Sequence, residues 1–189
     1  VEYESEETVM VRKTMKINLL DGGKSLQQAI RQIEQYKNDL SRKCEEICRR
    51  LSEIGVQVAN TVLREGKLED YQPSTKVSYE IDTSGNIVRA KIIISGPYIL
   101  FLEFGSGIRY SGTKNPKVAE LGYGPGTYPS NAPQQNPPYD NWESPTGWYY
   151  YGDDGKVHHT FGVQAKMPVY RASVEIMKSV NEVAKEIFG

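Results

Sequence analysis

Two cysteines, two histidines, four phenylalanines and a formal net charge of -1 leave this 189-residue chain short of most of the usual routes to chemistry. Cys44 and Cys48 lie four apart. On a helix they share a face, and side chains on adjacent turns are poorly set for a disulfide. A disulfide framework is therefore excluded, and the pair reads as reduced packing cysteines. The competing reading is a zinc half-site completed by His158 and His159, but the spacing matches no finger pattern. The missing basic excess argues against a dedicated nucleic-acid binder. No apolar run approaches the roughly 18 residues of a membrane span. No signal-peptide pattern opens the chain, so cytosolic synthesis without a membrane partner is the expectation. GxSxG, HExxH, CxxC and GxxxxGK[ST] are all missing.

What is present is a length that suits one domain with a core, and an uneven distribution of residues. Residues 1–13 are acidic and poor in apolar side chains, and read as an extension ahead of a single domain over 14–189. Thr14 to Leu20 alternates as a short strand would. Ser25 then stands three residues before Gln28, the spacing of a capping box. From Leu26 an apolar stripe runs through Ile30, Ile33, Tyr36, Leu40, Cys44, Ile47, Leu51, Ile54 and Val58 to Val62 at intervals of three and four. This predicts an amphipathic helix of roughly 58 Å, at ~1.5 Å per residue, ending near Gly66. Gly55 is the expected site of a kink. The stripe is either a coiled-coil seam or the face of a helix packed on a sheet, and the second is preferred. At that length part of it should still meet another subunit, with Tyr36, Leu40 and Cys44 as interface candidates. The charged residues on the outer face read as solvation.

Lys76 to Ile81 and Ile87 to Ser95 are strands joined by a hairpin at DTSGN, with KIIIS apolar enough for a central strand. Next comes YILFLEFGSG, residues 98–107, with one carboxylate in an apolar run. Seven of the ten prolines fall between Pro116 and Pro145. The Pro/Gly/Tyr-rich stretch 107–147 is therefore predicted to be a long partner-docking loop, mobile in the free protein. Tyr110, Tyr123, Tyr128, Tyr139, Trp142 and Trp148 supply contact area at low side-chain entropy cost. WYYYGDDGKVHHTFG carries a second hairpin around Asp153-Asp154-Gly155. Pro168 opens a terminal helix of about five turns through Ala172, Ile176, Val180, Val183 and Ile187. With no βαβ alternation, the class is α+β: an antiparallel sheet packed against a long N-terminal and a C-terminal helix.

Catalytic readings are thin. A small hydrolase would use Glu103 with His158 or His159, but neighbours on a strand face opposite ways, so at most one histidine could serve. Asp153 and Asp154 are turn chemistry first. A single-stranded nucleic-acid module would stack bases on the Trp/Tyr cluster, yet Asp140, Glu143, Asp153 and Asp154 surround it. No catalytic residue, metal or cofactor is assigned.

YILFLEFGSG, a variable loop and a proline opening a C-terminal helix (MPVYRAS) together resemble the neck or tail-completion proteins of long-tailed bacteriophages. The positions that carry the likeness are Glu103, Phe104, Gly105, Ser106, Pro168 and Ala172, in an element order matching from about Met15 to the end. WYYYGDDGKVHHTFG is similar to variants from phages of Gram-positive bacteria. Val169 departs from the pattern, since an aromatic commonly follows the proline. The resemblance implies a non-enzymatic virion protein of the head–tail junction, made in the host cytoplasm. Its expected form is a homo-oligomeric ring around the DNA path, bound to the head connector and tail proteins without reading DNA sequence. Glu103 would then be a structural anchor. It is expected to accept hydrogen bonds from the Gly-Ser-Gly turn, or to pair with Arg109 or Arg171, with an intersubunit contact as the next alternative.

Overall fold

A computed structural model describes residues 15–18, 20–65, 75–85, 87–96, 98–107, 115–118, 120–121, 145–151 and 154–189. The chain is α+β: a long helix, two small antiparallel sheets and a C-terminal helix. It divides into two compact units, Val1–Lys43 and Cys44–Gly189. Helix α1 spans Lys24–Arg64, so its first half belongs to the first unit and its second half to the other.

In the first unit, the start of α1 differs from expectation. Asp21 caps the helix: its Oδ2 accepts from the Ser25 N–H at 2.9 Å and its Oδ1 from the Gly23 N–H at 3.0 Å. The Ser25 hydroxyl turns back to Asn18, accepting from its N–H at 2.8 Å and donating to its carbonyl at 3.1 Å. Residues 15–18 are not a strand, and at Asn18 the backbone is bound to the Ser25 hydroxyl rather than to a neighbouring ladder. The apolar stripe that follows is open to solvent at Leu26, Ile30, Ile33, Tyr36 and Leu40.

In the second unit the same stripe is a packing face. Ala59, Val62 and Leu63 are buried. The helix does not break at Gly55. A Cβ there would stand 2.3 Å from Ile92 Cδ1 and 2.7 Å from Ile176 Cδ1, so the glycine lets two isoleucines approach the helix backbone. Gly66 lies outside the described residues.

Strands β1 (Lys76–Ser84) and β2 (Ile87–Ser95) form one hairpin, with Val77 opposite Ile94, Tyr79 opposite Ile92 and Ile81 opposite Ala90. β1 runs three residues further than predicted, to Ser84 opposite Ile87, which shortens the connection to two residues that begin with Gly85, at φ 65°. Among the described residues β2 pairs only with β1, so it is not a central strand. Ile92 packs instead toward the helices, meeting α1 at Gly55 beside Ile176.

The apolar run after it is a short helix, α2 (Ile99–Phe104), packed against α3 (Pro168–Phe188). Strands β3 (Trp148–Tyr151) and β4 (Val157–Thr160) make the second hairpin as a separate two-stranded sheet. α3 runs antiparallel to the second half of α1. Arg50 pairs with Glu186, and Glu65 with Arg171 at 2.7 Å, so the two ion pairs have equal spacing along both helices.

Candidate functional site

The constellation that organises the second unit centres on Glu103. α3 needs an outside acceptor, because its N-cap is Met167, with no side-chain cap bond and a left-handed backbone at φ 59°, ψ 50°. Pro168 follows with no N–H to satisfy. The next two backbone donors go to Glu103: Val169 N–H to Oε2 at 2.7 Å and Tyr170 N–H to Oε1 at 3.0 Å. Asn115 Nδ2 donates to Oε1 at 2.7 Å, and the Asn115 carbonyl oxygen Oδ1 accepts from the Lys117 N–H at 2.8 Å. Glu103 is 6% exposed and Asn115 2%.

A carboxylate at a helix N-terminus, holding donors the helix cannot satisfy itself, is the arrangement that backbone dipoles favour. Even so, burial outweighs these hydrogen bonds and raises the Glu103 carboxyl above its ordinary range. Leu102 strengthens the same junction, its carbonyl accepting from the N–H groups of Lys166 at 2.7 Å and Met167 at 3.1 Å. Nearby, the Lys166 ammonium is buried without a hydrogen-bond partner, and desolvation lowers its pKa, partly offset by Glu65.

The Gly-Ser-Gly that follows is a docking strip for the chain entering α3. Ser106 N–H donates to the Val163 carbonyl at 2.8 Å, and Val163 N–H donates to the Ser106 hydroxyl at 3.0 Å. Backbones meet so closely that a Cβ on Gly162 would lie 2.1 Å from the Ser106 carbonyl oxygen. Gly107 has φ 75°, and a Cβ there would meet the Phe161 carbonyl oxygen at 2.9 Å and the Trp148 ring at 3.0 Å.

Glu103, Phe104, Gly105, Ser106 and Trp148 are thus gathered around one junction, and Pro168 and Ala172 are buried beside it. The donors to Glu103 were misassigned from sequence. They come from α3 and Asn115, not from the Gly-Ser-Gly turn, where the Gly105 and Ser106 N–H groups go to the carbonyls of Phe101 and Val163. Arg171 is engaged by Glu65 instead, and Arg109 lies outside the described residues. Asn115 was missed altogether. Its only sequence signal is an Asn-Pro pair at the mouth of the loop, which turn chemistry explains equally well.

Tyr36 and Leu40 are not part of this junction; they sit on the exposed face of α1, and Cys44 is half-buried. Tyr110, Tyr123, Tyr128, Tyr139 and Trp142 fall outside the described residues, as does most of stretch 107–147. No protein-family model, curated protein or solved structure matches this chain.

Neither histidine bonds to Glu103. His158 Nε2 lies 2.9 Å from Asp154 Oδ1, and His159 Nε2 2.9 Å from the Thr146 carbonyl oxygen. The bond from His158, helped by the Lys156 N–H, holds Asp154 below its ordinary pKa. Among the described residues no three His, Cys, Asp or Glu side chains converge as a metal site would require. His159 instead lies between Tyr149 and Phe161, with ring centroids 4.8 Å from each.

Proposed function

We propose that this chain is a structural protein of the head–tail junction of a long-tailed bacteriophage or prophage, working through protein–protein contacts rather than catalysis. The observation that carries the reading is the Glu103 anchor. The two segments that bear the resemblance, EFGS and the proline-led helix, are more than sixty residues apart in sequence, yet one buried carboxylate ties them together. A motif whose residues serve a scaffold rather than a cleft suits a protein that must hold shape under load.

The hydrolase alternative is not favoured by this geometry. Both oxygens of Glu103 are committed to three donors, and the side chain is almost wholly enclosed. A general acid or base must reach the proton it moves. The exposed apolar half of the α1 stripe suits an assembly surface, since contiguous apolar patches on soluble proteins usually mark interaction sites. On this reading the chain acts as a homo-oligomeric ring in the virion neck, between the head connector and tail proteins, with DNA passing through it.

Electron microscopy of particles made without this protein tests the proposal. Complete heads and complete tails that fail to join are the expected result. Normal virions from the knockout would refute it.

A further inference from the structure

The stripe on α1 has two fates, and its first half calls for an occupant. Leu26, Ile30, Ile33 and Leu40 are 49%, 48%, 54% and 39% exposed. Their spacing of four, three and seven residues is that of a heptad seam, with Leu26, Ile33 and Leu40 at d and Ile30 at a. The remaining a position in this stretch is Lys37, and the e position beside it is Glu34. Elsewhere on the helix such charges pair within the chain, Arg42 with Asp39 and Arg49 with Glu46 and Glu53. Among the described residues Glu34 and Lys37 make no ion pair, although three residues separate them.

We propose that residues 30–40 of α1 pair with the same stretch of a second copy, antiparallel, about a two-fold axis level with Gln35, which sets Leu26 level with Cys44 of the facing helix. In that register Ile30 layers on Leu40 of the facing helix and Ile33 on Lys37, twice by symmetry. The Lys37 stem lies over the partner isoleucine while its ammonium reaches Glu34 across the axis. The stretch is self-complementary in charge only in this orientation. A parallel in-register pair would stack Lys37 on Lys37 in the core and set Glu34 beside Ala29, with no cation to meet it. The inference rests on reading this face as an assembly surface, but not on the head–tail assignment.

Sedimentation of the purified full chain over about 1 to 200 µM tests it. A reversible dimer with a dissociation constant on the order of 10 µM is expected for so short a seam. Ile33→Glu should weaken it at least ~100-fold with an unchanged far-ultraviolet circular dichroism spectrum. Lys37→Glu should weaken it roughly tenfold, and the double variant Glu34→Lys/Lys37→Glu should restore it, a rescue that no purely structural role would give.

Orientation is read by cysteine cross-linking in a Cys44→Ser/Cys48→Ser background. Tyr36→Cys, near the axis, should cross-link. Leu26→Cys should not, its two copies lying roughly 27 Å apart at ~1.5 Å per residue. A chain that is monomeric at 200 µM, a dimer indifferent to Ile33→Glu, or preferential cross-linking through Leu26→Cys would each overturn the proposal. None of these outcomes bears on the knockout particles.

Discussion

Replacing Glu103 by alanine removes the acceptor for three donors at once, and the cost follows from where those donors are. The N–H groups of Val169 and Tyr170 sit in the first turn of α3, where no intrahelical carbonyl can take them. A buried donor left without an acceptor costs about 1–3 kcal/mol, and losing an ordinary capping side chain costs about 0.5–2 kcal/mol. The side-chain amide of Asn115 loses its partner as well. Allowing for water entering the vacated space, Glu103→Ala should destabilise the protein by about 3–5 kcal/mol, a large share of the stability of a typical domain.

Glu103→Gln keeps the shape but turns an NH2 group toward one of the backbone donors, so about half of that loss should remain. Urea unfolding followed by circular dichroism measures both. Hydrogen exchange should show protection lost first at the start of α3, at Arg171 and Ala172. A Glu103→Ala variant within about 1 kcal/mol of the parent would refute the anchor and reopen the carboxylate for another role.

Three further outcomes follow from the same geometry. Because burial raises the Glu103 carboxyl above its unfolded range, the folded state binds that proton more readily than the unfolded state does. The stability gap between the parent and Glu103→Gln should be widest below the unfolded pKa and narrow as pH rises through the folded one; a gap that widens would mean the hydrogen bonds outweigh desolvation. Gly55→Ala should fall within about 1 kcal/mol of the parent, its helix-propensity gain offset by displacing the Ile92 and Ile176 methyls, whereas Gly55→Leu should cost about 3 kcal/mol in thermal unfolding. Lys166→Met keeps the aliphatic stem and removes an ammonium without a hydrogen-bond partner, so it should stabilise by up to about 1 kcal/mol in urea titration.

Periodicity and punctuation in the sequence alone determined much of this protein. The three-and-four spacing from Leu26 to Val62 implies α1, because only a helix brings those side chains to one face. β-branched runs around a turn imply β1 and β2, and Pro168 marks the start of α3 to the residue. These are local rules, and each needs only residues close in sequence. Sequence failed wherever the partner was distant. Gly55 reads as a helix breaker until Ile92 and Ile176 are seen against it. Ser25 reads as a cap until Asp21 takes the N–H groups. Glu103 is the clearest case: its oddity is visible in FLEFGSG, but its donors come from residues 12, 66 and 67 positions away. Which half of the α1 stripe is buried was likewise a tertiary decision. The pattern is continuous along the helix, yet its second half packs on β2 and α3 at Gly55 while Leu26, Ile30, Ile33 and Leu40 in its first half face solvent.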